Sequence, residues 1–433
     1  MRYRRTLFVI LTLTFATAVR SEAQFYQELG YPLSADANAM GGAGAALVSD
    51  DPLATALNPA QLGLFSLRGI MSAGVVPSLD VSPSYFREFD GWYLIGMSRD
   101  LAINLGIPLN RFWHSLPFKL GVGIAYSNSR YPFGHAVGGL EVPTRADYMN
   151  DISLGIGVKY LVNLGIGWTI NPIASRYDRY PLSQTNWTTT HDLGAILEIP
   201  ILQLVSRVAS SPVPTSVGLR PVFNLTFGYS ARNLGSHSYF GGAGLPEEAD
   251  LGWNIELGLK TRVQNHQWKW VSFTFVREAD ASLISLDSTL SIQSSSPSDS
   301  VFNYSYAKRK GFGGFQVYKN LIAGKPTEFD GFTYGRPAGN IGVVKGAQIQ
   351  LGQFIYLREG SVTEAGLPTY TTYGWGAKLD GLVKTLLFMH CISPGNEIAK
   401  LLLDHFNLEF DYSKANDGPF QGEPFESLNL VVR

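Results

Sequence analysis

Only one cysteine, Cys391, occurs in 433 residues, which excludes an intramolecular disulfide framework and a Cys-based metal cluster. Charge is also scarce. Asp, Glu, Lys and Arg make up 16% of the chain, against roughly 25% in ordinary soluble domains. The formal net charge is −1 and no block of five like charges occurs, so there is no basic field for nucleic acid. Beyond the N-terminus, no apolar run is long enough for a spanning helix. Catalytic signatures are missing too. There is no Gly-x-Ser-x-Gly elbow. The Gly-rich run at 40–44 lacks both the preceding strand and the following Lys-Ser/Thr of a phosphate loop. The histidines (His114, His135, His191, His237, His266, His390 and His405) form no His-x-His or His-x-x-x-His pair, and each reads as a loop or rim residue. The chain is expected to be no enzyme, to need no cofactor and to hold no metal.

What is present is glycine (46 residues), tyrosine (21) and a period-two alternation that recurs along the chain. In FKLGVGIAYS, Phe118, Leu120, Val122, Ile124 and Tyr126 share one face, and Lys119, Gly121, Gly123, Ala125 and Ser127 take the other. ISLGIGVKY, LGWNIELGLKTRV, FNLEFDYS and the closing Leu428, Leu430, Val432 repeat it. A soluble sandwich would bury the apolar row, whereas a membrane barrel turns it to lipid and the small or polar row to the lumen. Alternation alone does not separate the two. Three features favour the barrel. The segments reach nine to thirteen residues, aromatics sit at their ends, and the counterface mixes glycine with charge. The expected fold is all-β: a transmembrane antiparallel β-barrel of about 14 strands.

Arg2, Arg4 and Arg5 followed by an apolar core from Leu7 to Val19 and Ser21–Ala23 form an export signal with a cleavage site. The expected division is a signal at 1–23, an N-terminal segment at 24–66 and a barrel at 67–433. Long connections are expected at Asn128–Asn150, Ile173–Thr190 and Gln203–Leu219, facing outward, with SSSPSDS at 294–300 as a loop tip. Gly381 to Asp404 reads as two short helices split at Ser393-Pro394-Gly395, packing on the barrel rim; a ligand-admitting element is the alternative.

One stretch after the signal fits neither strand nor long helix: ADANAMGGAGAALVSDDPLATALNPAQLG, residues 35–63. Asp51 before Pro52, and Asn58 before Pro59, each pair a side-chain acceptor with a proline that has no N–H to satisfy, so two short helical turns are expected. Capping accounts for Asp50 and Asp51 without a cation. A compact, neutral plug in the lumen fits these features.

This stretch resembles the N-terminal signature of the FadL-like outer-membrane proteins. Its MGGAG and NPAQLG are most similar to the PorV/PorQ branch, as is YSARNLG at 229–235. The signature covers about thirty residues; the strand pattern extends the likeness along the chain. The resemblance implies a 14-stranded barrel with an N-terminal hatch in the lumen, in the outer membrane of a Gram-negative-type bacterium. Carried over by position, it assigns Gly41, Gly42, Gly44, Asn58, Pro59 and Ala60 to the hatch; the gate candidates expected from the residues themselves add Met40 of the Gly-hinged run and the Asp51-Pro52 turn. The resemblance implies uptake of hydrophobic small molecules past the hatch, with outer-membrane lipid as surroundings. The alternative it carries is a type IX secretion role, docking or shuttling secreted cargo with secretion-machinery proteins as partners. The chain ends in LNLVVR rather than the aromatic residue of many such barrels.

Overall fold

The computed structural model describes residues 34–80, 92–94, 96–113, 116–137, 140–179, 182–208, 218–235, 248–263, 266–282, 284–287, 305–308, 341–363, 369–393, 395–416 and 424–432. The expected export signal, the loop tip at 294–300, His114 and His237 fall outside this set.

The strands, in chain order, are β1 Met71–Asp80, β2 Trp92–Leu94, β3 Gly96–Pro108, β4 Lys119–Val137, β5 Leu140–Lys159, β6 Asn163–Arg179, β7 Leu182–Pro200, β8 Arg220–Leu234, β9 Glu248–Val263 and β10 His266–Ser282. They continue as β11 Ile284–Asp287, β12 Ser305–Lys308, β13 Ile341–Leu351, β14 Ile355–Thr363, β15 Tyr370–Lys378, β16 Phe406–Ala415 and β17 Pro424–Val432. Fourteen of them, β1, β3–β10 and β13–β17, form one closed antiparallel barrel. Closure runs through β1–β17 (Met71↔Val432) and β4–β5 (Lys119↔Lys159). Strand β2 continues the β3 line against β4, and β11–β12 is a separate hairpin. An even, closed set leaves no backbone edge for lipid to face.

The faces are inverted relative to a soluble protein. On β5, Ile152, Leu154 and Ile156 are 44–52% exposed, while Ser153, Gly155 and Gly157 between them are buried. The same alternation holds on β16, where Leu408 is exposed and Asn407, Glu409, Asp411 and Ser413 are buried. Exposed Leu, Ile and Phe also cover β4, β6, β9, β10 and β14.

Two expected loops are strands instead. Asn128–Asn150 continues β4 and β5 to 19 and 20 residues, and Ile173–Thr190 continues β6 and β7 to 17 and 19. Only about 9–11 residues are needed to cross the bilayer. Past it neither face meets lipid, so the hydrophobic alternation fades while the hydrogen-bonded ladder does not. His135 and His191 accordingly sit in strands rather than loops, with His191 stacked on Trp168 at 5.7 Å.

The third expected outer loop, Gln203–Leu219, begins as a helix, Ile201–Val208, and lies at the opposite rim. That rim carries the short turns at 160–162 and 352–354, the start of β1 and the end of β17. The two helices expected at the C-terminal end are there: Leu379–Phe388 and Glu397–His405, the second capped by Asn396, which accepts from Ile398 N and Ala399 N at 2.9 and 3.0 Å. They pack at the short-turn rim. Trp268 is their anchor, buried among Val383, Leu387, Ala399 and Leu403, its indole N–H donating to Gly352 O at 2.6 Å.

Candidate functional site: the hatch and its glycine seat

Residues 34–66 lie inside the barrel and are almost wholly buried. Three short helical pieces order them: α1 Ala35–Asn38, a 3-10 turn at Pro52–Ala56, and α2 Ala60–Ser66. Both expected caps form. Asp51 accepts from Leu53 N at 2.9 Å with Pro52 at the first helical position. Asn58 accepts from Ala60 N at 3.0 Å across Pro59. The Asn58 amide also donates to Ala45 O at 2.7 Å and to Tyr229 O of β8 at 3.1 Å. One side chain thus ties the turn, the glycine-rich loop and the wall together. Asp50 pairs with Arg68 at 3.2 Å.

The wall glycines have a reason that the alternation did not reveal. They make room for hatch backbone. A methyl group at Gly155 would stand 2.6 Å from Gly63 N, and one at Gly167 would stand 2.7 Å from Ala60 N. At Gly228 it would meet Ala46 Cα at 2.7 Å, and at Gly346 Met40 Cβ at 2.7 Å. Carbon atoms make contact at roughly 3.5–4.0 Å, so any side chain on this lane would exclude the hatch. Gly41 and Gly42, at φ +79° and +91°, occupy a backbone region that favours glycine. They turn the chain so that Gly41 N donates to Thr372 Oγ1 of β15 at 3.0 Å.

Polar groups of the wall complete the seat. Glu278 on β10 accepts from Gly44 N at 3.1 Å and Ala45 N at 2.9 Å. Ser230 donates to Leu57 O at 2.7 Å, and Asn38 donates to Ser413 Oγ at 3.0 Å. Within the hatch, Gln61 donates to Leu47 O and accepts from Ser49 N. Apolar contact is divided among small clusters. Met40, Ala43 and Leu47 meet Val276, Val344 and Val362, Ala60 and Leu64 meet Ile196, and Leu62 and Phe65 meet Ala125 and Val431.

Beside α1 the hatch carries two carboxylates. Ser34 Oγ contacts both Asp36 and Asp51, the latter at 2.6 Å, while Ser49 donates to Asp36 at 2.7 Å. A hydroxyl has one proton and can donate to only one of its two carboxylates. The other contact needs a proton on the carboxyl. Burial, and then the nearby Asp36, push the Asp51 carboxyl up to about 8, so Asp51 is the proton's holder. Across from it, wall residues form a buried ion network: Arg358 with Asp411, and Lys378 with Glu409 at 2.8 Å. Arg232 bridges Glu248 and Asp250 at 3.2 and 3.1 Å. Single-residue desolvation of this kind is tolerated where partners are in place.

All nine positions singled out in the sequence lie in the luminal segment 34–66, in two groups. Met40, Gly41, Gly42 and Gly44 line the loop against β8–β10 and β13–β15; Asp51, Pro52, Asn58, Pro59 and Ala60 form the turns against the other side. Sequence reasoning missed Glu278, Gln61, Arg358 and Asp411. Their signal was a carboxylate, amide or guanidinium on a row destined for the interior. Among the described residues, no group of three or more His, Cys, Asp or Glu side chains converges on a metal-sized space.

No family model matches the chain, and no curated protein does. Among solved structures it is similar in outline to the CymD monoaromatic hydrocarbon channel (10% identity, TM-score 0.36, covering 94% of this chain and 97% of that one). It is similar also to the Pseudomonas putida toluene transporter TodX (11%, TM-score 0.33, 94% and 98%). A third is the Ralstonia pickettii toluene transporter TbuX (12%, TM-score 0.30, 92% and 96%). At these scores the likenesses carry no argument about mechanism, which rests on the barrel itself.

Proposed function

We propose that the chain is a FadL-like outer-membrane barrel that passes hydrophobic small molecules, with residues 34–66 as its gate. The observation that carries this reading is the way the hatch is seated. It is buried inside the described barrel, yet it is held by hydrogen bonds, by close approach of small residues and by separate small apolar clusters rather than by a continuous apolar core. Such a seat can be left without unfolding the wall. Among the described residues, the apolar contact toward the long-hairpin side is Met40, Ala43 and Leu47 against Val276, Val344 and Val362. Withdrawal of Met40 would leave an apolar site there, where each buried CH2 of a ligand contributes about 0.8 kcal/mol. The exposed Leu, Ile and Phe belt supports a lipid setting, and short turns at the rim where β1 starts and β17 ends support a periplasmic orientation for that rim.

A covalent lock tests the gate. A Cβ at Gly252 of β9 would stand 3.2 Å from Ala46 Cβ, close to the disulfide range of about 3.5–4.5 Å. In a Cys391→Ser background, the Ala46→Cys/Gly252→Cys pair should abolish uptake of a hydrophobic dye by liposomes when oxidised and restore it when reduced. Equal uptake in both states would remove the gate. A companion variant, Gly42→Pro, cannot hold φ +91° and should alter uptake without a redox response.

A second reading, docking of secreted cargo in the PorV/PorQ manner, is favoured by the occupied lumen and by the β4–β5 and β6–β7 hairpins, which extend well past the bilayer. Under that reading the oxidised lock leaves function intact, and shortening those hairpins removes it.

A further inference from the structure

At the short-turn rim lies a cavity of about 960 Å3 between the Ile201–Val208 helix and the ends of β7–β10. Among the described residues, four cations line it, Arg207, Arg220, Lys260 and Arg262, and no carboxylate does. This is a local excess in a chain whose net charge is −1. Position on the strands decides where they point. Arg220 shares its β8 row with buried Thr226, Gly228 and Ser230, and Lys260 and Arg262 share their β9 row with buried Gly252 and Asn254. They face the barrel interior rather than the phosphates of surrounding lipid. Two acids in electrostatic reach of this rim are already engaged: Glu256 with Lys269 and Asn224, and Glu198 with Asn163. Lys159, beside Glu198 and with Lys119 and Arg207 in electrostatic reach, adds positive charge along the rim. Leu202 of the helix and Val222 of β8 add apolar surface.

We propose that this vestibule binds an anionic headgroup, phosphate or carboxylate, carried on an apolar chain. Interior cations with no paired carboxylate provide the charge recognition, and the helix face provides cover for the chain. Occupancy needs no movement of the hatch, so the site goes beyond the transport reading and can be tested with the gate locked.

Decyl phosphate is titrated calorimetrically into the oxidised Ala46→Cys/Gly252→Cys barrel in neutral maltoside micelles, with decanol and inorganic phosphate in parallel. Decyl phosphate should bind most tightly of the three, and more weakly as salt rises. The Arg220→Gln/Lys260→Gln/Arg262→Gln variant should lose about threefold per cation, hence on the order of thirtyfold in all. These are rim positions, and heat-modifiable gel mobility reports whether the variant barrel is folded. Binding within twofold of the parent in a folded triple variant overturns the site. Decanol or inorganic phosphate binding as tightly overturns the headgroup or the chain, respectively. Nanodiscs separate the sources: a site already filled in phosphatidylglycerol but titratable in phosphatidylcholine takes its headgroup from the membrane. One titratable in both takes it from a soluble amphiphile, and either result supports the site.

Discussion

Replacing Gly228 with Ala should unseat the hatch. The added methyl would stand 2.7 Å from Ala46 Cα and inside the van der Waals radius of the Ala45 carbonyl. Both neighbours are backbone, so no rotamer change relieves the overlap; either the β8 wall or the 44–46 loop must shift. The wall is held on both sides by β7 and β9. The loop is held by two bonds from Glu278 and one from Asn58. Bonds to a charged acceptor contribute about 1.5–3 kcal/mol each and a neutral one about 1 kcal/mol. Full release would therefore forfeit roughly 4–7 kcal/mol, and partial accommodation costs about 1–3 kcal/mol as overpacking. The smaller route wins, and about 2 kcal/mol raises the unseated population roughly thirtyfold. The assay is maleimide labelling of Ala43→Cys, a site with 0% exposure, in a Cys391→Ser background. Leu257→Ala, on the lipid side of β9, serves as control. A folded Gly228→Ala barrel whose labelling rate stays within threefold of the parent refutes the reasoning.

Three further outcomes are expected. Because the Asp51 carboxyl is pushed up to about 8 in the seated hatch, seating binds a proton. Its stabilisation is complete below the ordinary Asp value near 4 and falls by about 1.4 kcal/mol per pH unit until it is lost through pH 8. Ala43→Cys labelling, normalised to a free thiol, should rise across that window, and Asp51→Asn should flatten it; an unchanged profile in the variant would rule the coupling out. Ile156→Arg places a charge on the lipid face of β5, where Ile156 is 52% exposed. It should lower barrel stability by about 2–4 kcal/mol in urea titrations in lipid, whereas a loss under 1 kcal/mol would mean the face does not meet acyl chains. Trp268→Ala removes the anchor of the two C-terminal helices. It should cost them about 3–5 kcal/mol of docking, read as new protease cleavage between Met389 and Asn396; resistance equal to the parent contradicts the packing.

Much of the barrel was legible because its signal is local. Ile152, Leu154 and Ile156 announce a strand by themselves, and the Asx-Pro pairs at 51–52 and 58–59 announce turns by themselves. Strand continuation past residue 128 was not legible, since outside lipid neither face needs to be apolar. Nor was the purpose of Gly155, Gly167 and Gly228. A glycine in a strand says that something comes close, but its partner here lies about ninety to one hundred and eighty residues earlier, between Ala45 and Gly63. Glu278 was hidden for the same reason. Only register shows that it faces Gly44 and Ala45 rather than water.

The order of synthesis runs against the order of seating. Hatch residues leave the ribosome before any strand, but the surfaces that receive them are spread over β3–β10 and β13–β17, the last of which also closes the cylinder against β1. The segment must stay extended or shielded during passage and insertion. Its many alanines and glycines suit that wait, because they offer little bulk to collapse upon itself before the final staves are in place.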